Sequence, residues 1–162
     1  MGGDILDIIS GGLVPALGQG GQGFEKGTLG LPQLLMSAGA AKGAFQVLQG
    51  YLPAGESQGE PQILLANVQG DSHDIGKNIV KVLLESYRFR VLDLGKDVPP
   101  ETIVAAAQAR KIPLVGLSAL MTTTAPAMAE TIRQLRQAGL ACKIVVGGAV
   151  ITQDYARQIG AD

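Results

Sequence analysis

At 162 residues the chain has room for one ordinary domain, or for one small domain with an appendage. Its charges nearly cancel, with 13 Lys and Arg against 14 Asp and Glu and a formal net charge of -1. With no basic run interleaved with aromatics, nucleic acid is not an expected partner. Cys142 is the only cysteine, so no internal disulfide can form; in the apolar run Ala141-Cys-Lys-Ile-Val-Val146 it reads as inert packing in a reducing compartment. No signal peptide is read at the N-terminus, and no apolar run reaches the ~20 residues of a membrane span. The expectation is a soluble, cytoplasmic protein with no membrane partner.

Taken in chain order, residues 1–52 are rich in Gly, Leu and Ala and read as helices. Leu31, Leu34, Leu35, Ala38, Ala41, Phe45 and Leu48 form a stripe at helical spacing. Glycine stands at 11, 12, 18, 20, 21, 23, 27, 30, 39 and 43. Each glycine inside a helix costs about 0.5–1 kcal/mol against alanine, so a bundle seeded this way is marginal without outside contacts. The polar Gly/Pro-bearing segment 53–61 reads as a linker.

From residue 62 onward short β-branched runs alternate with longer helical patterns, the signature of βαβ units around a parallel sheet. Ile63 to Val68 reads as a buried strand, and the helix after it, from Ile75 to Ser86, places Ile75, Ile79, Val82 and Leu83 on one face. Arg90 to Leu94 is a second strand, and Pro99-Pro100 opens the next helix. Leu114 to Ser118 is a third strand, followed by a helix over Pro126 to Ala138 that Gly139 stops. Lys143 to Val146 is a fourth strand ending at Gly147-Gly148, and a last helix covers Thr152 to Ile159. The chain ends where a fifth strand is expected. Ligands of such sheets bind beyond the carboxyl ends of the strands.

At that end, directly after the first strand, the loop Gly70-Asp-Ser-His-Asp-Ile-Gly76 holds the only histidine, His73. A metal-ligating imidazole normally gives its other N–H to a carboxylate, and Asp71, two residues earlier, is placed to accept it. The loop by itself also fits a solvated histidine or a neighbour of a helix cap. Other chemistries fare worse: a closed zinc site wants about four ligands, no serine sits on a G-x-S-x-G turn, and neither phosphate-binding glycine motif is present.

The run Asp71-Ser-His73-Asp-Ile-Gly76 matches the D-x-H-x-x-G motif of cobalamin-binding domains. The longer run from Gly70 to Val80 resembles the methionine synthase and corrinoid methyltransferase branch. Ser118-Ala-Leu120 matches the S-x-L element of that family, and Gly147-Gly148 its paired glycines, each at a strand end and in the family's order. Phe24 to Gly27 and Leu31 to Ala38 are similar to the helical bundle that precedes the domain in corrinoid methyltransferases.

The resemblance implies a flavodoxin-like, Rossmann-type α/β domain over residues 62–162. Its sheet would be parallel and doubly wound, preceded by a helical cap over 1–52 forming part of a four-helix bundle. It implies a cobalamin cofactor whose nucleotide tail leaves the cobalt, with His73 as the cobalt ligand from below. Asp71 then hydrogen-bonds His73, and Thr124 completes a relay that tunes the cobalt. Asp74, Ile75, Gly76 and Leu120 are implied around the cofactor. Ser118 and Thr122 would hydrogen-bond the buried tail, and Gly147 and Gly148 would leave space for it. Met36 of the cap, with Leu35 and Phe45, would shield the upper face.

Without the resemblance, Ser118 reads as a strand-end hydroxyl, the glycines as an ordinary turn, and Thr122 to Thr124 as a helix N-cap. The implied function is a methyl carrier of the methionine synthase type, not catalytic alone. Methyl-donor and methyl-acceptor domains, with folate and homocysteine among the candidates, would be its partners. The cofactor domain of an adenosylcobalamin mutase, a cobalamin-dependent sensor and a plain flavodoxin-like interaction domain are the alternatives.

Overall fold

A computed structural model describes residues 7–49 and 62–162. The linker expected at 53–61 and the two ends of the expected cap, 1–6 and 50–52, lie outside them. The chain divides into two compact units.

The α/β unit is built on four parallel strands, β1 (Ile63–Asn67), β2 (Val91–Asp93), β3 (Leu114–Ser118) and β4 (Lys143–Gly147), in the order β2-β1-β3-β4. After β1 the chain moves outward to β2, then returns to the other side of β1 for β3. The sheet therefore has its switch point between β1 and β3, whose ends align through Asn67↔Ser118. Val68, expected to continue the first strand, instead makes a single parallel bridge to Val98.

Residues two apart on a strand share a face. Leu64, Ala66, Val115, Leu117 and Ile144 face one side. There they form a closed apolar core with Ile103 and Ala107 of helix Pro100–Ala109 and with Met128, Ile132 and Leu135 of helix Ala125–Gln137. Pro100 occupies the first turn of its helix, as expected. Leu65, Gly116 and Val145 face the other side. Cys142 is buried in the core, and burial pushes its thiol up, consistent with inert packing.

The helix after β1, Ile75–Ser86, departs from the sequence reading. Ile75, expected on its buried face, is 77% exposed, whereas Lys77 is only 3% exposed. The reason is electrostatic: the Lys77 ammonium turns toward the sheet and meets the Asp93 carboxylate of β2 at 2.5 Å. Ile75 stands at the open first turn, beyond the strand ends. A periodicity count weighs hydrophobicity and misses both effects.

The other unit joins the described N-terminal residues to Val82–Phe89, so the division does not fall at the linker alone. It contains a π-helical turn (Ile9–Leu13) and the helices Val14–Glu25 and Leu31–Gln49. Within it Glu85 pairs with Lys42, and the Arg88 guanidinium lies 5.6 Å from the centre of the Phe45 ring. Leu34, Ala38, Ala41 and Phe45 are buried at helical spacing, as the stripe predicts, but Leu31 is exposed.

Most of the glycines here have no packing role. A methyl group added at Gly11, Gly12, Gly18, Gly39 or Gly43 would meet nothing within 4 Å. Gly39 and Gly43 lie inside the helix Leu31–Gln49, so Gly39→Ala with Gly43→Ala should stabilise this unit by about 1–2 kcal/mol. Urea denaturation followed by circular dichroism checks this, and an unchanged or lowered midpoint would contradict it.

Candidate functional site

Two loops meet at the switch point. The first leaves β1 and turns at Gly70, whose φ of +83° is one that residues with a Cβ rarely adopt. The Gly70 N–H donates to Asp97 Oδ1 at 2.7 Å, and the Asp97 N–H donates to the Asp71 carbonyl at 2.9 Å, which pins the turn. The second loop leaves β3 and runs through Leu120 to Thr124, the residue before the helix Ala125–Gln137.

Between the loops lies the fully buried carboxylate of Asp71. Its Oδ2 accepts the Leu120 N–H at 2.6 Å and the Thr124 hydroxyl at 2.8 Å. Its Oδ1 accepts the His73 N–H at 2.9 Å and faces His73 Nδ1 at 3.3 Å. Burial alone pushes this carboxyl up. The N–H groups of Leu120 and His73, the Thr124 hydroxyl and the His73 ring outweigh it and hold the group at about 2, below the usual 3.8.

An ionised Asp71 only accepts, so its contact with Nδ1 requires a hydrogen on that nitrogen. The His73 backbone is held at both ends, by Asp71 at its N–H and by Asn67 Nδ2, which donates to its carbonyl at 2.8 Å. The imidazole nevertheless remains 46% exposed. The result is a rigidly mounted ring with a free nitrogen at an open surface.

Beside this loop, on the face opposite the closed core, is a cavity of about 300 Å³. Leu65, Gly76, Lys77, Val80, Gly116, Ser118, Val145, Gly147 and Gly148 line it. Its volume is near the lower end of ligand pockets, roughly 300–1,000 Å³, and suits part of a large ligand. A Cβ at Gly147 would meet nothing within 4 Å and would occupy open space beside the cavity. Gly148 is held to glycine more strictly: a Cβ there would lie 1.8 Å from the Ala119 carbonyl oxygen, and its φ is +139°. The slot is mostly apolar, with the Ser118 hydroxyl and the Lys77 side chain as its polar side chains, which suits an apolar part of a large ligand.

The structure thus gathers Asp71, His73, Leu120 and Thr124 in one cluster, and Gly76, Ser118, Gly147 and Gly148 around the cavity. Thr122 is exposed and is not among the residues lining the cavity. Asp74 starts the following helix, its carbonyl accepting the Asn78 N–H at 2.9 Å. Met36 belongs to the other unit and is 74% exposed. Thr124 stands at an N-cap position but makes no side-chain cap bond; its hydroxyl faces Asp71 Oδ2 and, at 3.0 Å, the Met121 carbonyl. The Thr124 side chain thus bonds the buried carboxylate and leaves the helix N-terminus without a side-chain cap.

Four side chains were missed. Lys77 lines the cavity and bonds Asp93, which also accepts Lys81 at 3.2 Å and the Gly95 N–H at 2.9 Å. Burial pushes the Asp93 carboxyl up, but Lys77, Gly95 and Lys81 together bring it below its ordinary value. Asp97 pins the Gly70 turn. Asn67 is fully buried, and its Oδ1 is the buried side-chain polar atom without a partner among the described residues. Such an orphan costs about 1–3 kcal/mol. An asparagine closing an apolar strand was the available signal for it. Among the described residues no three His, Cys, Asp or Glu side chains gather to hold a metal ion, and no helix is long and apolar enough to cross a membrane.

Comparison with known proteins agrees with this geometry. The B12 binding domain family model matches residues 61–162, and a second B12 binding domain model matches residues 1–49. The chain belongs to the B12-binding domain family, and is a cobalamin-binding module. It is 40% identical to dimethylamine corrinoid protein 1 of Methanosarcina acetivorans over 98% of its own length and 76% of the relative's. Among solved structures, it is similar to the methanol:cobalamin methyltransferase complex of Methanosarcina barkeri. There the TM-score is 0.80 and the identity 33%, over 96% of this chain and 60% of that one. A cobalamin-binding protein from Desulfitobacterium hafniense has a TM-score of 0.77 at 33% identity, over 88% of this chain and 67% of that one.

The depressed Asp71 carboxyl has a consequence for the apoprotein. Its folded value, about 2, lies below the unfolded value of 3.8, so its contribution is present above pH 4 and is lost as pH falls toward 2. That contribution is about 2 kcal/mol. Urea unfolding between pH 5 and pH 2.5 should show a steeper loss of stability in the wild type than in Asp71→Asn. Parallel curves would contradict the assignment.

Proposed function

We propose that this chain is the methyl carrier of a corrinoid-dependent methyltransferase system. In this reading the sheet cavity would hold the nucleotide tail of cobalamin or a related corrinoid, and His73 would ligate its cobalt. The observation that carries the proposal is the half-exposed His73 ring, its Nδ1 facing a buried, ionised Asp71, on the loop that leads into the cavity-lining residues Gly76 and Lys77. When bound, the corrinoid supplies the cobalt that accepts a methyl group from one partner and passes it to another.

The chain's own residues orient and tune. Asp71 holds the hydrogen on Nδ1 and so would leave Nε2 as the nitrogen that can ligate a metal. Thr124 has one hydroxyl hydrogen and two acceptors, Asp71 Oδ2 and the Met121 carbonyl. That hydrogen swings to Met121 when Asp71 gains a proton, so Thr124 adjusts the carboxylate that adjusts the imidazole. Ser118 offers a hydroxyl to the tail, Gly147 keeps the slot clear, and Gly148 lets the chain pass the Ala119 carbonyl at its edge. Ile75 and Leu120, both exposed, would offer apolar surface to the corrinoid.

The relatives are named for dimethylamine and methanol systems. On that basis the methyl donor is a methylamine or methanol, and the partner a methyltransferase subunit that binds it. The folate and homocysteine partners of a methionine synthase, implied by the motif run, lack comparable support. So do the mutase and sensor readings. The expected cap role of Met36 remains part of this proposal.

Hydroxocobalamin added to the purified protein, followed by removal of free cofactor, should leave the wild type with a base-off, histidine-ligated visible spectrum. His73→Ala should lose that signature. Gly147→Val should retain the fold by circular dichroism yet take up cobalamin at least ~10-fold more weakly, the equivalent of about 1.4 kcal/mol. A wild type that retains no cofactor, or a His73→Ala spectrum identical to the wild type's, would sink the proposal.

A further inference from the structure

The sheet face that carries the cavity is arranged in rows. Strand register sets Leu65, Gly116 and Val145 side by side, and one row nearer the strand ends it sets Asn67, Ser118 and Gly147 side by side. Side chains two apart share a face, so Asn67 projects on the cavity side of the sheet, next to Ser118. A Cβ on Gly116 would meet Leu65 Cδ2 at 2.6 Å and Val145 Cγ2 at 3.6 Å, which shows how closely the lower row is packed. That row is a floor; of the upper row Ser118 and Gly147 line the cavity, and Asn67 is fully buried beside Ser118.

Asn67 is the fully buried polar side chain of that upper row, and one of its atoms has no partner among the described residues. Its Nδ2 donates to the His73 carbonyl, and because a carbonyl can only accept, the amide cannot be turned the other way. Its Oδ1 is thereby fixed as a buried acceptor with nothing to accept from. Buried polar groups in folded proteins are almost always satisfied, and exceptions mark places where a ligand or water completes the set. The missing element is a donor, so an anion such as the tail phosphate does not fit; a hydroxyl does.

We propose that Asn67 is a positioning residue that couples the two halves of the site. Its Oδ1 accepts a hydrogen bond from a ribose hydroxyl of the corrinoid's nucleotide tail, while its Nδ2 holds the His73 carbonyl. Seating of the tail then firms the loop that presents His73. The inference rests on the proposed placement of the tail in the sheet cavity.

The test compares two probes on the full chain, hydroxocobalamin and cobinamide, which lacks the ribose, phosphate and base. Affinity for each is measured by spectral titration of wild type, Asn67→Leu, Asn67→Ala and Asn67→Asp. In the wild type cobalamin should bind more tightly than cobinamide. Either apolar variant should cut that preference about 10-fold, the loss of one good hydrogen bond. Asn67→Asp keeps an acceptor and should retain most of the preference while still losing the donor to His73, which the visible spectrum reports as weakened histidine ligation. A wild type without preference for cobalamin would overturn the tail placement itself. A wild-type preference left unchanged in the folded apolar variant, or lost equally in Asn67→Asp, would overturn the role of Asn67 alone.

Discussion

The functional end of the α/β unit depends on keeping one carboxylate charged in a place that water does not reach. Asp71 is ionised and fully buried, which is tolerable only because donors from three stretches of chain converge on its two oxygens. The Leu120 N–H requires the exit from β3, the Thr124 hydroxyl requires the start of the following helix, and the His73 N–H requires the loop after β1. These stretches are adjacent because β3 pairs with β1 across the switch point, in a register that places Asn67 beside Ser118. A slip of that register would separate the carboxylate from its donors. The orientation of the imidazole is therefore a property of the sheet as much as of the loop.

The two faces of that sheet are used differently. One is closed by apolar side chains from Leu64, Val115, Leu117 and Ile144 against two helices, and this is where burial stabilises the unit. The other is left thin, with Gly116 in its floor and Gly147 and Gly148 at its edge, so that a cavity remains. A buried ion pair, Lys77 with Asp93, borders that cavity. Such pairs contribute little net stability but hold elements in one arrangement, and this one ties the first turns of the helix after β1 to β2. Conformational stability and ligand space thus lie on opposite sides of a single layer of strands.

Much of this was legible in the residues. Alternating β-branched runs and helical stretches gave the parallel α/β unit, and the loop around His73 with the S-x-L element and the glycine pair pointed to cobalamin. What was not legible has a common physical origin. Lys77 reads as a surface cation until Asp93, sixteen residues on, is brought beneath it, and Ile75 reads as core until it is seen to stand past the strand ends. Thr124 reads locally as a helix cap, and only the resemblance set it beside Asp71, because the two are fifty-three residues apart.

The sequence by itself determined the local features: which segments become strands, where the chain must turn, and that Asp71 and His73, two residues apart, can meet. Their spacing is short enough for backbone geometry to decide. The tertiary structure alone decided the long-range ones: that Leu120 and Thr124 satisfy Asp71, that Gly148 lies against the Ala119 carbonyl, and that Asn67 is buried with one acceptor unmet. Hydrogen bonds and close contacts act over about 3 Å, so partners separated by tens of residues become partners only once strand order and register have set them side by side.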